Sequence, residues 1–251
     1  MTLDDWLGSI SSSELHSHLI GLPDRKLHLL TAAFLRRVWD DLPSHHTRTA
    51  IEATEEFADG RVTTRELVRV RSTDVLESCE GLWLGEDDSQ HDEQLIGMGC
   101  WDCPGCDRAA AEYECRVAKK GYGLDGVHSA VENPEWTAVR AALHAREIVI
   151  WKAERERHNE AEGEEARAQY DLFREIVGPE RGPVEWPRWR TFDVLALARG
   201  IHRDQAFDRL PILADALQDA GCADEAVLFH CREGKGHVRG CWVVDLAMGI
   251  G

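Results

Sequence analysis

Residues 24–39 read DRKLHLLTAAFLRRVW, and the spacing of their apolar side chains decides the fold class. Leu27, Leu30, Phe34 and Val38 recur three and four positions apart, which places them on one face of a helix. Leu35 and Trp39 widen that face. A strand would instead need apolar residues at every second position, which this stretch does not offer. Pro23 and Asp24 supply the rigid φ and the acidic first turn with which helices open.

Working outward, the same grammar repeats. Upstream, Ser11 and Glu14 have the spacing of a capping box ahead of Leu15, Leu19 and Leu22. Downstream, Ser44 can cap a helix bearing Ala50, Ile51, Thr54 and Phe57, with Gly60 placed for a left-handed end. Thr63 and Glu66 open a fourth helix. Asn133, Pro134 and Glu135 begin a helix that can run to Val177, with Trp136, Val139, Leu143, Ile150 and Trp151 on its first apolar face. Its stretch from Glu154 to Arg167 is so polar that it is expected to face solvent or to bend at Gly163. Tyr170, Phe173 and Ile176 then restore the stripe.

Thr191 is expected to cap a helix through Arg203, and Asp208 another, with Leu210, Leu213, Leu217 and Ala220 aligned before Gly221. Asp224 opens a third, bearing Val227, Leu228 and Cys231. The segment from Val238 to Met248 is helical by spacing although its Trp-Val-Val is strand-like. The expectation is a mainly α protein, an irregular multi-helix bundle with a cysteine- and acid-rich irregular insert. Residues 1–73 form an N-terminal helical region, 74–132 the insert, and 133–251 a long helix with a C-terminal helical region packed with 1–73 as one domain.

Composition narrows the function. Hydrophobic residues make up 43% of the 251, enough for a buried core. Lys and Arg number 29 against 46 Asp and Glu, and the net charge of −17 repels both a phosphate backbone and an anionic bilayer. No stretch approaches the apolar length of a membrane span, and the opening residues lack an export signal. Eight cysteines are ordinary use for this length, so most are expected to be thiols in a reducing, cytoplasmic setting. Between Asp74 and Glu93 eight acidic residues occur with no Lys or Arg, the pattern of a solvated surface.

Two clusters carry candidate chemistry. Cys100, Cys103, Cys106 and Cys115 are close enough in sequence to surround one soft metal ion, zinc in preference to an iron–sulfur cluster, with Cys79 or His128 as substitute ligands. Cys103 and Cys106 alone have the spacing of a redox dithiol, but no strand is expected before them. The second cluster runs from His230 and Cys231 to Cys241. In it Arg232, Lys235, His237 and Arg239 form a basic turn, with Gly234, Gly236 and Gly240 letting a bound anion approach the backbone. The competing reading is a helix-connecting turn whose cations offset a helix C-terminus. His16, His18, His45 and His46 lack the four-residue spacing of a helical metal face. No catalytic motif of the common hydrolase, nucleotide-binding or metalloprotease kinds is present, and no general acid or base stands out.

Several stretches together resemble a large paralogous family of uncharacterised proteins from planctomycete bacteria. They are Asp24-Arg-Lys-Leu27, Leu35-Arg-Arg-Val-Trp39, Ala53 to Gly60, Gln205 to Cys222 and the ending His237-Val-Arg-Gly-Cys-Trp-Val-Val-Asp-Leu246. The resemblance covers the first seventy residues and the last eighty or so, and it implies no activity. Members of that family often carry cysteines at the positions of Ala32, Phe34 and Leu35, so the departure here favours packing for this stretch. The expected function is a non-enzymatic helical module that contacts another protein. The alternative is a zinc or thiol-redox protein using Cys100 to Cys115.

Overall fold

The stripe on residues 24–39 forms the helix that its spacing requires, Asp24–Arg36, and Leu27, Leu30, Phe34 and Val38 are all buried. The computed structural model describes residues 2–8, 12–42, 45–70, 134–153, 158–179, 186–234 and 236–250. Among them every regular element is helical and none is a strand, as expected of a mainly α multi-helix protein. In chain order these are α1 (Leu3–Gly8), α2 (Ser12–Leu19), α3 (Asp24–Arg36), α4 (His45–Ala58) and α5 (64–70). There follow α6 (Pro134–Lys152), α7 (His158–Val177), α8 (Trp186–Trp189), α9 (Phe192–Asp204), α10 (Leu210–Asp219), α11 (Glu225–Arg232) and α12 (Trp242–Met248). No described helix is long and apolar enough to cross a membrane. The insert expected at 74–132, and with it the acidic run, lies outside the described residues, as do Ser11 and Ser44.

Two apolar cores organise the chain. In the first, α3 packs against α4, α6 and α7, with α1 on α7 and α2 on α6. Trp6 is fully buried where α1, α3 and α7 meet, its ring 5.4 Å from that of Phe173 and 6.1 Å from Phe34. In the second, α9 packs on α10 and α12, and α10 on α11, around Val194, Ile201, Leu213, Leu217, Val227 and Val243. The caps expected from sequence form at Thr63, Thr191 and Asp224. Glu66 N donates to Thr63 Oγ1 at 3.3 Å, Val194 N to Thr191 Oγ1 at 3.3 Å, and Ala226 N to Asp224 Oδ1 at 2.9 Å.

Four expectations are corrected. The single helix from 134 to 177 is two: α6 ends at Lys152, α7 begins at His158, and Gly163 lies inside α7. The two pack side by side through buried polar groups, which explains why the polar stretch does not simply face solvent. Gln169 Nε2 donates to Ala142 O at 2.9 Å, Arg146 Nε donates to Gln169 Oε1 at 2.9 Å, and the buried Glu165 is paired with Arg37 at 2.9 Å. The buried face of α6 is built of small residues, Ala138, Ala141, Ala142 and Ala145 beside Val139 and Ile148, which lets neighbouring helices approach closely; the side chains of Trp136, Ile150 and Trp151 lie outside the description. Asp208 caps nothing: it sits in a 3₁₀ turn, Phe207–Arg209, that leads directly into α10. The last helix is Trp242–Met248, and Val238 to Cys241 form a turn, because Gly240 takes φ +91°, outside helical space.

Where the two cores meet, the contacts are close and charged. A Cβ on Gly240 would stand 2.8 Å from Leu29 Cδ1, and one on Gly178 would stand 2.8 Å from Trp242 Cγ, so only glycine allows these approaches. Asp245, buried on α12, accepts from Arg25 at 2.5 Å and from Lys26, whose ammonium also donates to Gly240 O at 3.1 Å. Asp59, just past α4, pairs with Arg25 at 3.0 Å, Arg239 at 2.8 Å and His202 at 3.3 Å.

Candidate metal centre

At this seam four potential ligands converge. Glu175 lies in the last turn of α7, which ends because Gly178 adopts φ +78°. His230 lies in the last turn of α11, His237 in the glycine-rich turn that follows, and Cys241 at the N-cap of α12. Positive φ at Gly234, Gly236 and Gly240 turns the chain back between the two helices, and this brings His237 and Cys241 to His230.

His230 Nε2 is 3.2 Å from Cys241 Sγ and 3.3 Å from Glu175 Oε2, and His237 Nδ1 is 3.2 Å from Glu175 Oε1. One ligand atom from each of the four lies within 4.8 Å of all the others. Zinc bonds of 2.0–2.3 Å to N, O and S give tetrahedral edges of about 3.3–3.7 Å, so the pairs already stand near the separations that a shared cation imposes. The set is enclosed: the side chains of Glu175 and His237 are 8% and 6% exposed, that of His230 14%, and Cys241 is fully buried.

Burial disfavours charge on Cys241 and His230. It pushes the Cys241 thiol well above its ordinary range, with Glu175 adding to the effect. It also lowers His230, against the pull of Glu175. The tautomer of His230 follows from its neighbour, because the Trp242 indole can only donate and it approaches Nδ1 at 3.2 Å. A neutral His230 therefore carries its proton on Nε2, facing Glu175 and Cys241. A divalent cation on Nε2 would shift that proton to Nδ1 and release the thiol proton, and would supply the positive charge the enclosed carboxylate and thiolate lack. Glu175, His230, His237 and Cys241 are a group that can hold a metal ion.

The residues singled out in the sequence fare differently. Cys100, Cys103, Cys106 and Cys115 lie outside the described residues, as does Lys235. The other members of the expected anion site each have partners of their own. Arg232 is held by Asp215 at 2.9 Å and Gln218 at 2.8 Å, Arg239 by Glu55, Glu56 and Asp59, and His237 belongs to the group around Glu175. His230 and Cys241 flank that basic turn in sequence, but their value as ligands was missed. A search for two histidines four apart passes over His237 and Cys241, which have that spacing with one thiol. Glu175 gave no signal among so many carboxylates. Cys222 and Cys231 are also free, buried thiols, and burial pushes Cys231 up to about 12. The chain matches no family model, no curated protein and no solved structure.

Proposed function

We propose that this is a non-enzymatic helical protein in which Glu175, His230, His237 and Cys241 hold a structural zinc ion that fastens the second core to the first. The carrying observation is the convergence of four ligand atoms within 4.8 Å, one from α7 and three from the α11–α12 turn. The mixed N, O and S donor set suits zinc. Four protein ligands with little exposure favour a structural over a catalytic role, since catalytic zinc keeps a position open for water or substrate. The partner of such a module would be another protein, and Phe192 and Phe229, 85% and 66% exposed, are the side chains we would expect it to cover.

Metal analysis of full-length protein purified without chelator tests this reading. About one equivalent of zinc is expected, retained in Cys103→Ser and lost in His237→Ala and Cys241→Ser. Cobalt substitution should give the intense visible bands of tetrahedral Co²⁺, with a thiolate charge-transfer band absent from Cys241→Ser. Metal-free wild-type protein would overturn the proposal, and metal lost from Cys103→Ser but kept in Cys241→Ser would move the ion to the cysteine-rich segment.

A further inference from the structure

Beside the metal group, and independent of it, a cleft of about 910 Å³ opens between the two cores. Arg36, Arg37, Arg61, Arg203 and Arg239 line it, against only two carboxylates, Glu55 and Glu56. Glu165, Asp204 and Asp59 also pair with these arginines, so the cleft gathers guanidinium groups whose charge is locally balanced. Leu29, Ala33, Leu172, Phe207 and Val238 supply its apolar lining, and the volume falls in the range of small-molecule sites, about 300–1,000 Å³.

The arginines are oriented in a common way. Arg36 donates from Nε and Nη2 to Glu55, Arg37 from Nε and Nη2 to Glu165, Arg61 from Nε and Nη2 to Glu56, and Arg203 from Nε and Nη2 to Asp204. In all four Nη1 has no hydrogen-bond acceptor among the described residues. Exposure is divided unequally within the pairs: Arg36 and Arg37 are 42% and 40% exposed, whereas Glu55 and Glu165 are 11% and 2%. The carboxylates fix the guanidinium planes; Glu55 and Glu165 do so from buried positions, whereas Glu56 and Asp204 are 38% and 37% exposed. Arg239, by contrast, spends Nε, Nη1 and Nη2 on Asp59, Glu55 and Glu56 and serves as wall.

We infer that this cleft binds a small phosphoryl-bearing anion through the uncommitted Nη1 groups of Arg36, Arg37, Arg61 and Arg203. Guanidinium edges arriving from α3, the end of α4 and α9 surround a volume, which suits the three-dimensional oxygens of a phosphoryl group better than the two coplanar oxygens of a carboxylate. Repulsion from the distant acidic surface is screened beyond about 10 Å at 0.1 M salt, which leaves the local guanidinium–carboxylate pairs to decide binding.

The test is calorimetric titration of inorganic pyrophosphate into the full chain at about 0.1 M salt, with citrate as the carboxylate comparison. Saturable binding of pyrophosphate is expected, weakened about tenfold or more in a variant carrying Arg61→Gln and Arg203→Gln, as loss of charge-assisted hydrogen bonds requires. Arg203 is exposed, whereas Arg61 also pairs with the buried Asp59 at 3.1 Å, so binding is compared at a temperature where both proteins are folded by circular dichroism. Arg232→Gln, an exposed arginine outside the cleft, should bind like wild type. The proposal is overturned by absence of binding at millimolar pyrophosphate, by citrate binding the more tightly, or by equal weakening in Arg232→Gln. Heat from zinc extraction would persist in the double variant, so unchanged titrations there overturn it as well, whatever the metal content proves to be.

Discussion

The two cores of this molecule are built alike and joined differently. Each is a cluster of aliphatic and aromatic side chains at helical spacing, Leu27, Leu30, Phe34 and Phe173 in one, Ile201, Leu213, Leu217 and Val227 in the other. The seam between them is made of Arg25, Lys26 and Arg239 against Asp59 and Asp245, of glycines at close approaches, and of the Glu175 group. Apolar burial is non-directional and assembles each unit. Buried ions tolerate few arrangements, so the seam selects one docking of the two units while adding little net stability of its own.

The sharpest way to break that division is Asp245→Ala. It leaves Lys26 and Arg25 buried without their shared carboxylate, at a cost of about 3–5 kcal/mol in denaturant unfolding. A loss under 1 kcal/mol would mean that the seam is dispensable. Close in size is the effect of the metal. Zinc at about a thousand times its Kd should stabilise wild type by about 4 kcal/mol, an increment that chelator removes and that His237→Ala lacks.

Leu30→Ala and Leu213→Ala, each emptying a fully buried site in a different core, should cost about 2–5 kcal/mol apiece. If the seam makes one cooperative unit, each variant shifts a single calorimetric transition. If Leu213→Ala splits the transition in two, the cores unfold separately and the comparison becomes one between two domains. Acid is a gentler probe. Burial works against the Asp59 charge, but hydrogen bonds and attraction from His202 and Arg25 outweigh it and hold the carboxyl below its ordinary 3.8. A depressed carboxyl stabilises the fold above that value, and the contribution fades as pH falls through the lower, folded-state pKa. The urea midpoint should therefore drop as pH falls below about 4, and drop less steeply in Asp59→Asn.

Helical class and many boundaries were legible because they rest on local rules. The stripe on 24–39, the caps at Thr63, Thr191 and Asp224, and the glycine ends at Gly60 and Gly221 depend only on near neighbours in sequence. What escaped depends on tertiary contact. Nothing local announces that α6 ends at Lys152, since the polar residues of α7 find buried partners only once Gln169 meets Ala142 and Arg146. The basic turn was noticed, but for its charge. Its His230, His237 and Cys241 read as ligands only when α7 brings Glu175 to them, and Arg232 and Arg239 take different partners, Asp215 for the one and Glu55, Glu56 and Asp59 for the other.

The indole of Trp242 leans against His230 from the second core. Once a cation occupies Nε2, the imidazole proton must reside on Nδ1, and two N–H groups then point at each other. In the zinc-bound protein proposed above the tryptophan gives up its acceptor, and a change in its emission against that of the other eight tryptophans would report occupancy where the two halves of the molecule touch.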